Sequence, residues 1–147
     1  MKALTRRSLI AIAIAVAMTS GAGAGNDENG KQCDVTTLKG SYVLTASGFT
    51  IVGGVPQPKA IVELIDFNGD GTLTVTGGTV SLNGTVIPIA PNGVGDYTLG
   101  PDCNGTLVFI PIPGPTFSIV VETDGKSGWV MQTNQNNVFP GTLTRRK

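Results

Sequence analysis

From Gly40 onward the chain is a succession of short runs in which apolar and polar residues alternate. Thr72-Leu73-Thr74-Val75-Thr76 shows the pattern cleanly, with threonines turned to one side and aliphatic side chains to the other. A period of two places successive side chains on opposite faces of a strand. No window sets apolar residues three and four apart, as an amphipathic helix requires, and β-branched residues recur throughout. The alternation predicts strands over 40–49, 59–67, 72–76, 79–82, 85–89, 95–99, 106–110, 116–122, 127–133 and 138–144. Two stretches, 60–65 and 80–89, are apolar on both faces, as expected of staves that line a lumen on one side and pack on the other.

The breaks between runs carry turn chemistry. Asn83-Gly84, Asn104-Gly105 and Asp124-Gly125 are two-residue hairpin signals, because a type I′ turn needs positive φ at both central positions. Pro56-Gln57-Pro58 and the prolines of 111–115 cannot donate to a ladder and are expected to end strands. Short strands joined in sequence order form an antiparallel meander, and closure of about eight of them into a barrel removes the exposed edges. The expected class is all-β, a small barrel, with a β-sandwich as the alternative.

Composition places this domain in the chain and in a compartment. Lys2, Arg6 and Arg7 precede the apolar run 9–18 (LIAIAIAVAM), and Ala22-Gly23-Ala24 offers a cleavage site of the A-x-A kind. Residues 1–24 thus read as a signal peptide too short to span a bilayer, with Arg6-Arg7 leaving both the general secretory and the twin-arginine routes open. Residues 25–32 are a polar lead, 33–144 a single barrel domain, and 145–147 a basic tail. The expected location is exported, periplasmic or extracellular, with no membrane span after cleavage.

In that setting Cys33 and Cys103, the only two cysteines, are expected to form a disulfide. Closing a loop of about 70 residues stabilises a fold by roughly 4 kcal/mol. Without the leader the chain carries seven Lys or Arg against ten Asp or Glu, and between Gly40 and Thr144 the only cations are Lys59 and Lys126. A body without a basic stripe argues against nucleic acid as a partner.

The chain has no histidine. Histidine triads, histidine metal sites and the usual neutral-pH base are therefore excluded. Asp66-Phe67-Asn68-Gly69-Asp70-Gly71 opens like a calcium loop, but its twelfth position is Gly77 where a bidentate glutamate belongs, so a β-turn is the preferred reading. No metal and no cofactor are expected. Asn83-Gly84-Thr85 and Asn104-Gly105-Thr106 match the glycosylation pattern and are better explained as turns.

Glu63 is the one charge inside an apolar run, and burial would raise its pKa toward acid–base use. A pairing with Glu122 across a barrel mouth is one way to employ it. Trp129 and Met131 share a strand face, and Tyr42 and Tyr97 are the only tyrosines. With Glu63 these four form the candidate ligand-binding set, an aromatic wall with a few polar tips. Ordinary core packing is the competing account of the same residues.

Cys33, Leu38-Lys39-Gly40-Ser41-Tyr42, Phe67-Asn68-Gly69-Asp70-Gly71, Gly95-Asp96-Tyr97-Thr98 and Asp102-Cys103-Asn104-Gly105-Thr106-Leu107 together resemble a group of small exported bacterial proteins similar to the allene-oxide-cyclase-like, calycin-type barrel. The resemblance covers about residues 33–144 and implies an eight-stranded antiparallel barrel. Relatives of that barrel include cofactor-free cyclases of apolar substrates, yet no catalytic motif of theirs maps onto residues of this chain. The expectation is an exported, non-enzymatic barrel that holds a small apolar ligand. Two alternatives stand beside it: a cofactor-free cyclase or isomerase using Glu63 or a tyrosine, and a structural or surface-interaction protein with a filled barrel.

Overall fold

Residues 32–111 and 114–147 are described by the computed structural model. The expected signal peptide and nearly all of the polar lead lie outside the described residues. Ten strands follow one short 3-10 turn, Val35–Thr37: β1 (Lys39–Val52), β2 (Val55–Asn68), β3 (Thr72–Leu82), β4 (Thr85–Ile89), β5 (Gly93–Leu99), β6 (Asn104–Ile110), β7 (Thr116–Val121), β8 (Ser127–Gln132), β9 (Asn137–Val138) and β10 (Pro140–Arg145). The strands β1, β2, β3, β5, β6, β7, β8 and β10 pair antiparallel in that order. β10 then returns to β1, from Tyr42 opposite Arg145 to Ala46 opposite Gly141. Eight strands close into a barrel, which excludes the sandwich.

Two strands lie off the ring. β4 pairs with the far half of β3, and β9 pairs with β1 at Phe49 and Thr50. Together with the long β1–β2 hairpin they raise one side of the barrel into a wall beyond its rim.

Several boundaries differ from the sequence expectation, each for a local reason. The runs 72–76 and 79–82 are one strand, because Thr76 is accommodated as a bulge: Leu64 faces Gly77 while Ile65 faces Val75. At this bulge β3 exchanges β5 for β4 as its partner. Gly78 is required there, since a Cβ on it would lie 2.5 Å from the Val62 carbonyl oxygen and 2.9 Å from Glu63 Cα.

Pro56-Gln57-Pro58 does not end a strand. It continues β2, whose pairing with β3 begins only at Lys59. Counting hydrogen-bonded pairs outward from the two-residue turn at Gly53-Gly54 directs the backbone of Pro56 and Pro58 away from β1, where no ladder donor is needed. Pro88 is turned to the free edge of β4 by the same count from Asn83-Gly84. That Asn83-Gly84 turn has positive φ at both residues, as expected. By contrast Asn104-Gly105 lies inside β6. The turn is Gly100-Pro101-Asp102-Cys103, closed by Cys103 N–H to Gly100 O at 2.9 Å, with positive φ at Cys103. Gly105 serves close approach instead, because a Cβ there would meet the Thr98 carbonyl oxygen at 1.9 Å.

One end of the barrel is tied shut. Cys33 and Cys103 form the expected disulfide, Cα to Cα 5.0 Å across a separation of 70 residues. Asp34 caps the 3-10 turn by accepting from Thr36 N–H at 2.8 Å, and Leu38 then drops into the core. Inside, Phe67 stands edge-on to both Tyr42 and Tyr97, with ring centroids 5.1 and 4.9 Å apart. Edge-to-face rings of this kind add about 0.5–1.5 kcal/mol to their area burial. Leu44, Ile65, Leu107, Ile119 and Leu143 fill the middle of the barrel.

Candidate functional site

The opposite end is open. A cavity of about 380 Å³ is bounded by the last residues of β6 and the first residues of β5 and β7, which places it away from Cys103. Its walls are apolar: Val75, Phe109, Phe117 and Phe139 line the barrel mouth, and Ile61, Val80 and Ile89 come from the raised wall. Phe109 and Phe117 meet edge to face at 6.0 Å, and Phe139 is fully buried. The volume falls at the small end of the range of about 300–1,000 Å³ usual for ligand pockets.

Two ionisable side chains line this cavity, and β2 supplies both. Lys59, Ile61, Glu63, Ile65 and Phe67 alternate along one face of the strand, so Lys59 and Glu63 look into the same space from roughly 13 Å apart along the chain. Glu63 is only 6% exposed. It lies beside the bulge, opposite Gly78 on β3 and Leu44 on β1. Among the described residues no hydrogen bond or ion pair reaches its carboxyl. Burial alone pushes its pKa from the usual 4.5 to about 7, because a low-dielectric wall penalises the charged form.

Lys59 is differently placed. Its ammonium donates to Gln132 Oε1 at 2.9 Å and sits 4.3 Å from the centre of the Phe139 ring. Gln132 Nε2 donates in turn to Asn134 Oδ1 at 3.0 Å, which also accepts from Thr116 N–H at 2.7 Å. Burial lowers the Lys59 pKa. The cation is thus secured by a polar chain at the rim, whereas the carboxylate is left to the cavity.

Of the five residues proposed from sequence, Glu63 alone lines the cavity. Tyr42 and Tyr97 are interior but belong to the closed end. Tyr42 Oη donates to Gly125 O at 2.6 Å, and Tyr97 Oη reaches Val35 O at 2.7 Å and Leu38 O at 2.9 Å. Burial raises the pKa of both phenols. Trp129 (54% exposed) and Met131 (45%) face outward, because Gly128, Val130 and Gln132 take the inner face of β8. Glu122 follows β7 at the closed end and is exposed, so it makes no pair with Glu63. The segment 66–71 is the end of β2 and the Gly69-Asp70-Gly71 turn into β3. Its Asp66 carboxyl accepts from Ser41 Oγ, and Asp70 Oδ1 accepts from Thr72 N–H at 2.9 Å.

Lys59, Phe109, Phe117 and Phe139 were missed by sequence reasoning. Lys59 carried a readable signal, since it lies four residues before Glu63 in an alternating run. Phe109 and Phe117 alternate with outward residues in β6 and β7 and Phe139 links β9 to β10, but only strand pairing brings the three to one height.

Among the described residues no helix is long and apolar enough to cross a membrane. No family model, no curated protein and no solved structure matches the chain.

Proposed function

We propose that this is an exported, non-enzymatic barrel protein that carries a small apolar ligand in its open end. The observation that carries the reading is the aromatic-walled cavity of about 380 Å³, set on a barrel whose other end is covalently tied. Export follows from the signal-peptide pattern of residues 1–24, with which a disulfide is compatible. The resemblance to the allene-oxide-cyclase-like barrel belongs to this proposal and agrees with the eight-stranded ring. The test is native mass spectrometry of protein purified from its own cell envelope, paired with titration of an environment-sensitive apolar dye. A bound small molecule, or dye binding that Ala90→Trp at the cavity rim abolishes, supports the reading. A clean ligand-free mass together with no dye binding refutes it.

One observation favours a second reading, a cofactor-free cyclase or isomerase. An acid titrating near 7 in an apolar-walled cavity has the protonation balance that general acid–base chemistry uses. Under that reading Glu63→Gln abolishes turnover of a bound substrate while leaving its binding intact.

A further inference from the structure

The cavity has one unmet need. Glu63 is more than nine-tenths buried, lines the cavity, and among the described residues has no hydrogen-bond or ionic partner. A buried carboxylate without a partner is costly, and the cost is relieved when a donor or cation is delivered to it. The chain's own nearest candidate does not fill that role, because Lys59 is occupied by Gln132 and the Phe139 ring. No other cation lines the cavity. Phe109 and Phe117 line the same cavity as Glu63, and an aromatic wall in a site that holds a carboxylate suits a cation. Neutral polar ligands meet only part of this need, whereas an ammonium group supplies both the charge and the N–H donors.

We infer that the ligand is a small apolar amine, its ammonium group meeting Glu63 and its hydrocarbon body lying against Phe109, Phe117 and the raised wall. This rests on the proposal that the cavity carries a ligand, and it names the chemical class. The carboxylate lies beside the Thr76 bulge, where β3 exchanges β5 for β4 as its partner.

The groups that face Glu63 set its response to pH. β1 presents Leu44 and β3 presents Gly78 across the register, and the remaining cavity wall contributes Lys59 as its only other titratable side chain. Amine binding therefore draws on the ionised fraction of Glu63. With titration centred at about 7, the amine's advantage is present at pH 8 and is lost by pH 5, since apparent affinity scales with the competent fraction.

The experiment is calorimetric titration of the intact, oxidised protein with 2-phenylethylamine and with its neutral counterpart 2-phenylethanol, at pH 8 and pH 5. The expected result is an amine preference of at least about tenfold at pH 8, its loss at pH 5, and its loss in Glu63→Gln with alcohol binding retained. The pH series on the unaltered protein decides the matter even if that variant folds poorly. Equal affinity for amine and alcohol at pH 8 overturns the amine assignment and leaves the ligand-carrying proposal standing. So does binding of the apolar dye when both probes fail. A cavity that takes none of the three overturns both.

Discussion

The two ends of this barrel solve the same problem in opposite ways. At the closed end the two interior tyrosine hydroxyls are matched inside the chain, reaching the carbonyls of Val35, Leu38 and Gly125. At the open end Lys59 has its partners, but Glu63 has none among the described residues. The core composition is otherwise alike, phenylalanine and branched aliphatics on alternating strand positions. Aromatic content therefore does not mark the site. The site is marked by a polar group whose partner is missing.

The comparison can be broken hardest at the closed end. Replacing Cys33 and Cys103 with serine opens a 70-residue loop and should cost about 4 kcal/mol, read as a lower urea midpoint. Ligand binding in the folded fraction should persist, because the cavity lies at the other end. Binding that vanishes while the fold survives would show that the two ends are not independent.

The open end predicts an effect of the opposite sign. Glu63 holds its proton more tightly when folded, titrating at about 7 instead of 4.5. In the unliganded barrel Glu63 therefore costs nothing below about pH 4.5, the cost grows as pH rises toward about 7, and above that it is a constant penalty of about 3 kcal/mol. Glu63→Gln should remove the penalty, making the variant more stable than the parent at pH 8 and equal to it at pH 4. Urea unfolding at the two pH values measures this; a variant less stable at pH 8 would mean the carboxylate has a partner after all.

Tyr97→Phe should cost about 1–3 kcal/mol, because it strips the donor shared by the buried Leu38 carbonyl and the half-buried Val35 carbonyl. Thermal melting monitored by circular dichroism is sufficient to see it. Trp129→Ala should move stability least, within about 0.5 kcal/mol, as expected of an exposed outer position. If Trp129→Ala weakened ligand binding instead, the outer face of β8 would be part of the site.

That last residue shows what was legible and what was not. Strand type, barrel closure and the disulfide could be read from alternation, turn residues and cysteine count. The face of β8 could also have been read. Phe117, Ile119 and Val121 form the apolar set of β7, and although the turn closes from Gly125 N–H to Glu122 O with positive φ at Gly125 alone, it leaves Val121 opposite Gly128, as a two-residue Asp124-Gly125 turn would. That parity sends Gly128, Val130 and Gln132 inward and Trp129 outward. Choosing the more aromatic face as the inner one ignored the register. Height along the barrel was beyond reach: Tyr42, Tyr97 and Glu63 all face inward, yet only paired strands reveal that the first two lie with Cys103 and the third with Phe109. The bulge at Thr76, which decides where the mouth begins, left no sequence signal beyond Gly77-Gly78, which equally suited a turn.

The prolines of the raised wall bear on how these molecules meet one another. Val86 and Ile87 are exposed on β4, an unshielded edge strand, and such a strand ordinarily templates sheet growth from copy to copy. Pro88 sits where that edge would next donate a hydrogen bond, so an incoming strand meets a gap in the ladder. The proline thus interrupts the one strand edge that carries the exposed apolar lip.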